Sequence, residues 1–176
     1  SRRGFVKKAV TGAVAASFGG ILPAFSAQSY NRITGANERI SVACMGVNDR
    51  GMKVGTSFAK QSDCQVLYSC DVDSRASDKF IEAIGKISDK RPKAQPDFRK
   101  ALEDKDVDVL VVTAPDHWHV PASLLACKAG KHVYVEKPLS HNPHEGELLV
   151  EAVKKYGRVV QMGNQRRSVP TIRAAI

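Results

Sequence analysis

Ile40-Ser41-Val42-Ala43-Cys44-Met45 runs straight into Gly46-Val47-Asn48-Asp49-Arg50-Gly51, and this junction decides the fold. Apolar residues at 40, 42, 44 and 45 predict a strand, the glycine-bounded turn breaks it, and Met52 to Lys60 resumes with helical character. In that order, the turn's backbone N–H groups and the positive end of the helix dipole face one point, where a diphosphate sits best. The spacing is that of G-x-G-x-x-G with Asn48 in place of the middle glycine. Gly46 would make the tight turn and Gly51 would let the helix pack closely on the strand, while Asn48 tolerates positive φ and can preserve the turn. Gly46, Asn48, Arg50 and Gly51 are thus the turn's candidates for contact with a dinucleotide. Taken alone, an ordinary loop between a strand and a helix explains the stretch equally well.

Outward from the turn, Val66 to Ser69 is a second apolar run ending in Cys70-Asp71-Val72-Asp73. A carboxylate at the end of a second strand is placed to accept both hydroxyls of an adenosine ribose, which makes Asp71 the ribose candidate. The alternative is that Asp71 and Asp73 cap the helix beginning near Ser74. An acid here would repel a 2′-phosphate and favours NAD, while the nearby Arg75 keeps NADP open.

The 176 residues, 43% hydrophobic, suffice for one ordinary globular domain. Ahead of it, Arg2-Arg3-Gly4-Phe5-Val6-Lys7-Lys8, an Ala- and Gly-rich apolar stretch from Ala9 to Phe25, and small residues at Ala24 and Ser26 resemble a twin-arginine export signal. Residues 1–27 are expected to be that signal, with a polar linker over 28–39 and a periplasmic or otherwise exported destination; a basic amphipathic helix is the alternative. Removing the signal's four basic residues lowers the net charge from +9 to +5. The remaining Lys and Arg are dispersed among acids, which argues against a nucleic-acid partner. Cys44, Cys64, Cys70 and Cys127 show no C-x-x-C or His/Cys zinc spacing, so no metal site is expected, and a disulfide at Cys64 is left open.

Strand and helix patterns then alternate. Ser74 to Lys86 reads as a helix, Ser88 to Pro96 as a polar loop, Asp97 to Asp104 as a short helix, and Val107 to Val112 as a strand buried on both faces. Pro121 is expected to start a helix stopped by Gly130, and His132 to Val135 to form a strand. Asn142, Pro143 and Glu145 make a capping-box-like start to a helix whose apolar stripe is Leu148, Leu149, Ala152, Val153 and Tyr156, ended by Gly157, and Val159 to Met162 is the last strand. This is a doubly wound α/β parallel sheet, a Rossmann fold, in which ligands lie outside the carboxyl ends of the strands. Three of those ends carry distinctive polar residues: Thr113 to His119, Glu136-Lys137-Pro138, and Gly163 to Arg167.

Ala114-Pro115-Asp116-His117-Trp118-His119, followed by Ala129-Gly130-Lys131-His132-Val133-Tyr134-Val135-Glu136-Lys137-Pro138, resembles the glucose-fructose oxidoreductase and inositol dehydrogenase (Gfo/Idh/MocA) family from about Ile40 to Arg167. The resemblance implies an NAD(P)-binding Rossmann domain over 40–167, followed by a second α/β domain that supplies much of the substrate site and supports homo-oligomers. Residues 168–176 would begin that second domain, and the chain reads as the first part of a longer protein. It further implies that Lys137 is the catalytic residue beside nicotinamide and substrate, with Glu136 holding it and Pro138 shaping the turn. An ammonium there can stabilise charge on a carbinol oxygen as hydride leaves carbon. His119 would lie at the cofactor side of its helix, and Pro115 and Asp116 would line the nicotinamide ribose pocket. Trp118 is expected to pack, a His117/His119 metal site is not expected, and Asn164, Gln165 and Arg166 could reach a polyol, with an exposed polar loop as the equal alternative. The expected activity is hydride transfer to or from a sugar, cyclitol or related polyol, with cofactor loaded before export. The rivals are an NAD-dependent glycosidase of the same family and a non-catalytic dinucleotide-binding module.

Overall fold

A computed structural model of the chain describes residues 39–165 and 169–174. The expected signal, residues 28–38 of the linker, and Arg166 and Arg167 lie outside the described residues. Among the described residues, no helix is long and apolar enough to cross a membrane.

In chain order the elements are β1 (Ile40–Met45), α1 (Asp49–Ala59), β2 (Cys64–Cys70), α2 (Ser74–Gly85), β3 (Lys93–Ala94), α3 (Phe98–Glu103), β4 (Val109–Val112), a 3₁₀ turn (Asp116–Trp118), α4 (His119–Lys128), β5 (His132–Glu136), α5 (Pro143–Tyr156), β6 (Val160–Gly163) and α6 (Pro170–Arg173). The strands form one parallel sheet in the order β3-β2-β1-β4-β5-β6. The sheet winds one way from β1 to β3 and the other way from β4 to β6, so β1 and β4 flank the switch point at which such sheets bind ligands.

Alternation along the central strands sorts the core into two layers. Ala43, Leu110, Val112, Val133 and Val135 pack with Phe98, Leu102 and Ala126 on one face. Val42, Cys44, Val66 and Val111 pack with Val54, Phe80 and Ile84 on the other. This is why β4 is apolar at every position: its neighbours in sequence serve opposite layers. Gly55 lets α1 sit close over α2, because a Cβ there would strike the Phe80 ring.

The helix ends follow local chemistry. Asp73 caps α2 and Asp97 caps α3, each carboxylate accepting the N–H two residues on, from Arg75 and Arg99. Asn142 accepts the Glu145 N–H, Pro143 opens α5, and Gly157 closes it at φ +59°. The Glu145 carboxylate accepts from His141 rather than from Asn142, a capping box displaced by one residue.

Several elements depart from the expectations. α1 begins three residues early, at Asp49. α4 begins at His119 rather than Pro121, because Pro115 opens a 3₁₀ turn that feeds it, with Trp118 N–H donating to the Pro115 carbonyl. The expected polar loop holds β3, a two-residue strand beside β2. Leu148, placed on the stripe of α5, faces solvent, and Leu149 and Ala152 carry its burial. All four cysteines, Cys64 included, are free thiols, and burial pushes the Cys70 thiol up to about 12.

Candidate functional site

The glycine turn is built by backbone contact. Gly46 sits at φ +78°, and a Cβ on it would lie 2.6 Å from the Ala114 amide nitrogen. A Cβ on Gly51 would collide with the Gly46 carbonyl oxygen. Thr113, just past β4, closes the packing by donating its hydroxyl to the Gly46 carbonyl at 2.6 Å. Asn48 does not need the positive φ that its side chain tolerates: it is extended, at φ −77°, and the left-handed residue is its neighbour Asp49, at φ +29°. Asn48 is exposed and its side chain caps nothing. Among the described residues, the N–H groups of Asn48, Asp49 and Arg50 donate to no protein acceptor, so the start of α1 presents open donors.

Asp71 follows β2 and is fixed from two sides. One oxygen accepts the Val47 N–H at 2.9 Å, and the other accepts the Asp73 N–H at 3.0 Å. The two acids flagged as possible caps therefore divide the work: Asp73 caps α2, and Asp71 anchors the glycine turn at the edge of a cleft.

That cleft encloses about 490 Å³, within the range of small-molecule sites. Gly46, Asp71, Val72, Phe98, Pro115 and Trp118 are among its lining residues. Trp118, expected only to pack, is 42% exposed and stands edge-on to Phe98, with ring centroids 6.2 Å apart. The mostly apolar walls, with Asp71, Asp97 and Arg99 also in the lining, suit a flat heteroaromatic ring joined to a sugar.

Other candidates lie elsewhere. Asp116 is exposed and outside the cleft lining. Arg75 is exposed and held by Asp73 at 2.9 Å, which takes up its guanidinium. His119 is not at the cleft surface: it is 1% exposed, its Nε2 lies 2.9 Å from the Ala114 carbonyl oxygen, and its Nδ1 lies against the Pro138 carbonyl oxygen. It ties the loop after β4 to the turn after β5. Asn164 and Gln165 are exposed beyond β6.

At the end of β5, Glu136 is buried and Lys137 exposed. The expectation that Glu136 holds Lys137 is corrected. Its carboxylate meets Arg50 across the sheet top, with Arg50 Nη2 donating to Oε1 at 2.6 Å. The bond to Glu136 pushes the Arg50 guanidinium further up. Burial pushes the neighbouring Tyr134 phenol up, and the Glu136 charge adds to that. Among the described residues, no cluster of three His, Cys, Asp or Glu side chains forms a metal site.

Residues 40–164, well over half the chain, match the family described as "Oxidoreductase family, NAD-binding Rossmann fold" (Gfo/Idh/MocA). The chain belongs to that family. Among curated relatives it is 31% identical over 134 residues to a glycosyl hydrolase family 109 protein of Saccharopolyspora erythraea, covering 73% of this chain and 29% of the relative. It is 26% identical over 124 residues to an alpha-N-acetylgalactosaminidase of Shewanella oneidensis, covering 67% and 27%. The chain thus spans less than a third of the length of these relatives. Among solved structures, GenD2 from gentamicin A biosynthesis, in complex with NAD, superposes with a TM-score of 0.70 at 25% identity, over 76% of this chain and 36% of GenD2. Myo-inositol 2-dehydrogenase of Lactobacillus plantarum superposes with a TM-score of 0.70 at 19% identity, over 78% and 40%. As a member of Gfo/Idh/MocA, the chain carries that family's NAD-binding domain.

Proposed function

We propose that this chain is the dinucleotide-binding domain of an NAD-dependent enzyme that moves hydride between a carbinol carbon of a sugar, cyclitol or related polyol and the nicotinamide. The carrying observation is the convergence, at the switch point, of three features: the open N–H groups of α1, a glycine cradle that a Cβ would fill, and the fixed carboxylate of Asp71. These fit a dinucleotide: the donors suit a diphosphate, Asp71 suits a ribose diol, and the apolar cleft suits adenine. Asp71 disfavours a 2′-phosphate and Arg75 is engaged by Asp73, which together support NAD over NADP.

When bound, NAD supplies the hydride acceptor or donor. Lys137 would hold or pass a proton at the carbinol oxygen and offset its developing charge, worth on the order of 10²- to 10⁴-fold in rate. The curated relatives support a second reading, an NAD-dependent glycosidase, because the sugar-cleaving names among them are carried by proteins up to 31% identical to this chain. Export through the twin-arginine route, homo-oligomers and tightly held cofactor belong to the same proposal and rest on residues 1–27 and the family resemblance.

The test is calorimetric titration of the chain with NAD, NADP and ADP-ribose, then assay of the protein carrying the rest of the substrate site on polyols and on aryl glycosides. NAD binding with polyol-dependent reduction supports the oxidoreductase. Cleavage of aryl glycosides with no net NADH supports the glycosidase, and NAD binding without turnover of either leaves a binding module.

A further inference from the structure

We propose that Arg50 is a positioning residue: it neutralises Glu136 and thereby keeps the Lys137 ammonium free for the substrate. The inference rests on the reading of Lys137 as the group beside the reacting oxygen. A carboxylate as buried as Glu136, whose side chain is 5% exposed, requires a counter-charge, and the residue next to it in sequence is a lysine. The structure gives the task to Arg50 instead, 86 residues away at the start of α1. Lys137 stays exposed, and among the described residues no carboxylate pairs with it.

The aim of the carboxylate is built into the sheet. Gly163 lies opposite Glu136 in the β5–β6 register. A Cβ on Gly163 would strike the Tyr134 phenol oxygen and come within 2.7 Å of Glu136 Oε1, so the glycine leaves the slot in which that oxygen meets Arg50. Among the described residues, Arg50 Nε and Glu136 Oε2 are buried without a protein partner, so the pair rests on the one Arg50 Nη2–Glu136 Oε1 hydrogen bond, with the Tyr134 phenol beside it. The same contact links the open donors of α1 to the Lys137 turn. Without Arg50, the nearest cation along the chain is the exposed Lys137, and pairing with Glu136 would withdraw it from the substrate.

The experiment labels the full chain with an amine-reactive ester and follows Lys137 by peptide mass spectrometry, with exposed Lys105 as internal reference. Arg50→Gln should slow labelling of Lys137 by about fivefold, the scale of one ion pair at a partly exposed site. The double variant Arg50→Gln/Glu136→Gln should restore the wild-type rate, a recovery that a merely structural role would not produce. Glu136→Gln alone, which keeps every buried contact but the charge, should leave the rate unchanged. Faster labelling in Glu136→Gln would mean that Glu136 already holds Lys137, and an unchanged rate in folded Arg50→Gln would mean that Arg50 does not guard it. Either result overturns the proposal. NAD titration of the same samples is separate: wild type that binds no NAD removes the nucleotide reading, while the labelling still decides the role of Arg50.

Discussion

The two ends of the sheet top differ in how completely they are built. On the β1–β2 side, Asp71 receives two backbone N–H groups, the glycine turn is locked by Thr113, and Phe98 and Trp118 wall an apolar cleft. On the β5–β6 side, Glu136 has one oxygen engaged and one unpartnered, Lys137 is exposed, and Asn164 and Gln165 are exposed beyond the last strand. The first region pairs a braced turn with a walled cleft; the second offers a charged group and little enclosure. In physical terms, nucleotide affinity should reside in the first region and chemistry should depend on what the second is completed by.

The sharpest way to break this contrast is at the glycine cradle. Gly51→Ala places a methyl against the Gly46 carbonyl and should cost about a hundredfold in NAD affinity, close to 3 kcal/mol, measured by calorimetry. Asp71→Ala should follow, with a loss of about thirtyfold, near 2 kcal/mol, felt equally by NAD and ADP-ribose because both carry the adenosine ribose. Trp118→Ala should weaken both ligands by about fivefold, roughly 1 kcal/mol of aromatic contact.

On the other side, Lys137→Ala should change NAD affinity by no more than about twofold, while removing turnover in the protein that carries the remaining substrate site. A large loss of NAD affinity in this variant would move binding energy to the β5 side and erase the contrast. The smallest expected effect concerns stability in acid. The bidentate hydrogen bonds from Arg99 hold the Asp97 carboxyl at about 2. A depressed carboxyl stabilises the fold above its unfolded value, near 3.9, and that contribution is lost as pH falls through the folded value. Thermal melts between about pH 4 and pH 2 should therefore fall less steeply for Asp97→Asn, and the difference should shrink in salt because the pair is exposed.

The contrast also marks what could be read from the sequence. The strand, turn and helix at 40–60, the carboxylate after β2, and the caps at Asn142 and Gly157 depend on neighbours in sequence, and each was legible there. β3 was not, since two residues show no alternation; it exists because Tyr68 and Ser69 of β2 offer it a register. Trp118 reached the cleft wall because Pro115 begins a 3₁₀ turn ahead of α4, a conformation with no periodic signal. Glu136 found Arg50 rather than Lys137 because the sheet brings α1 and β5 together, and adjacency in sequence says nothing of that. His119 was recognisable as important, but its two carbonyl contacts, which make it a brace between loops, depend on tertiary placement.

The central claim is that the β1–β2 side is a complete dinucleotide site. The most direct measurement is a calorimetric titration of NAD into the folded chain, with Asp71→Ala in parallel. The account predicts one NAD per chain with low-micromolar affinity, on the order of 8 kcal/mol, and a loss of about thirtyfold in the variant. A chain shown to be folded by circular dichroism that takes up no NAD at about 1 mM, above about −4 kcal/mol, would contradict it.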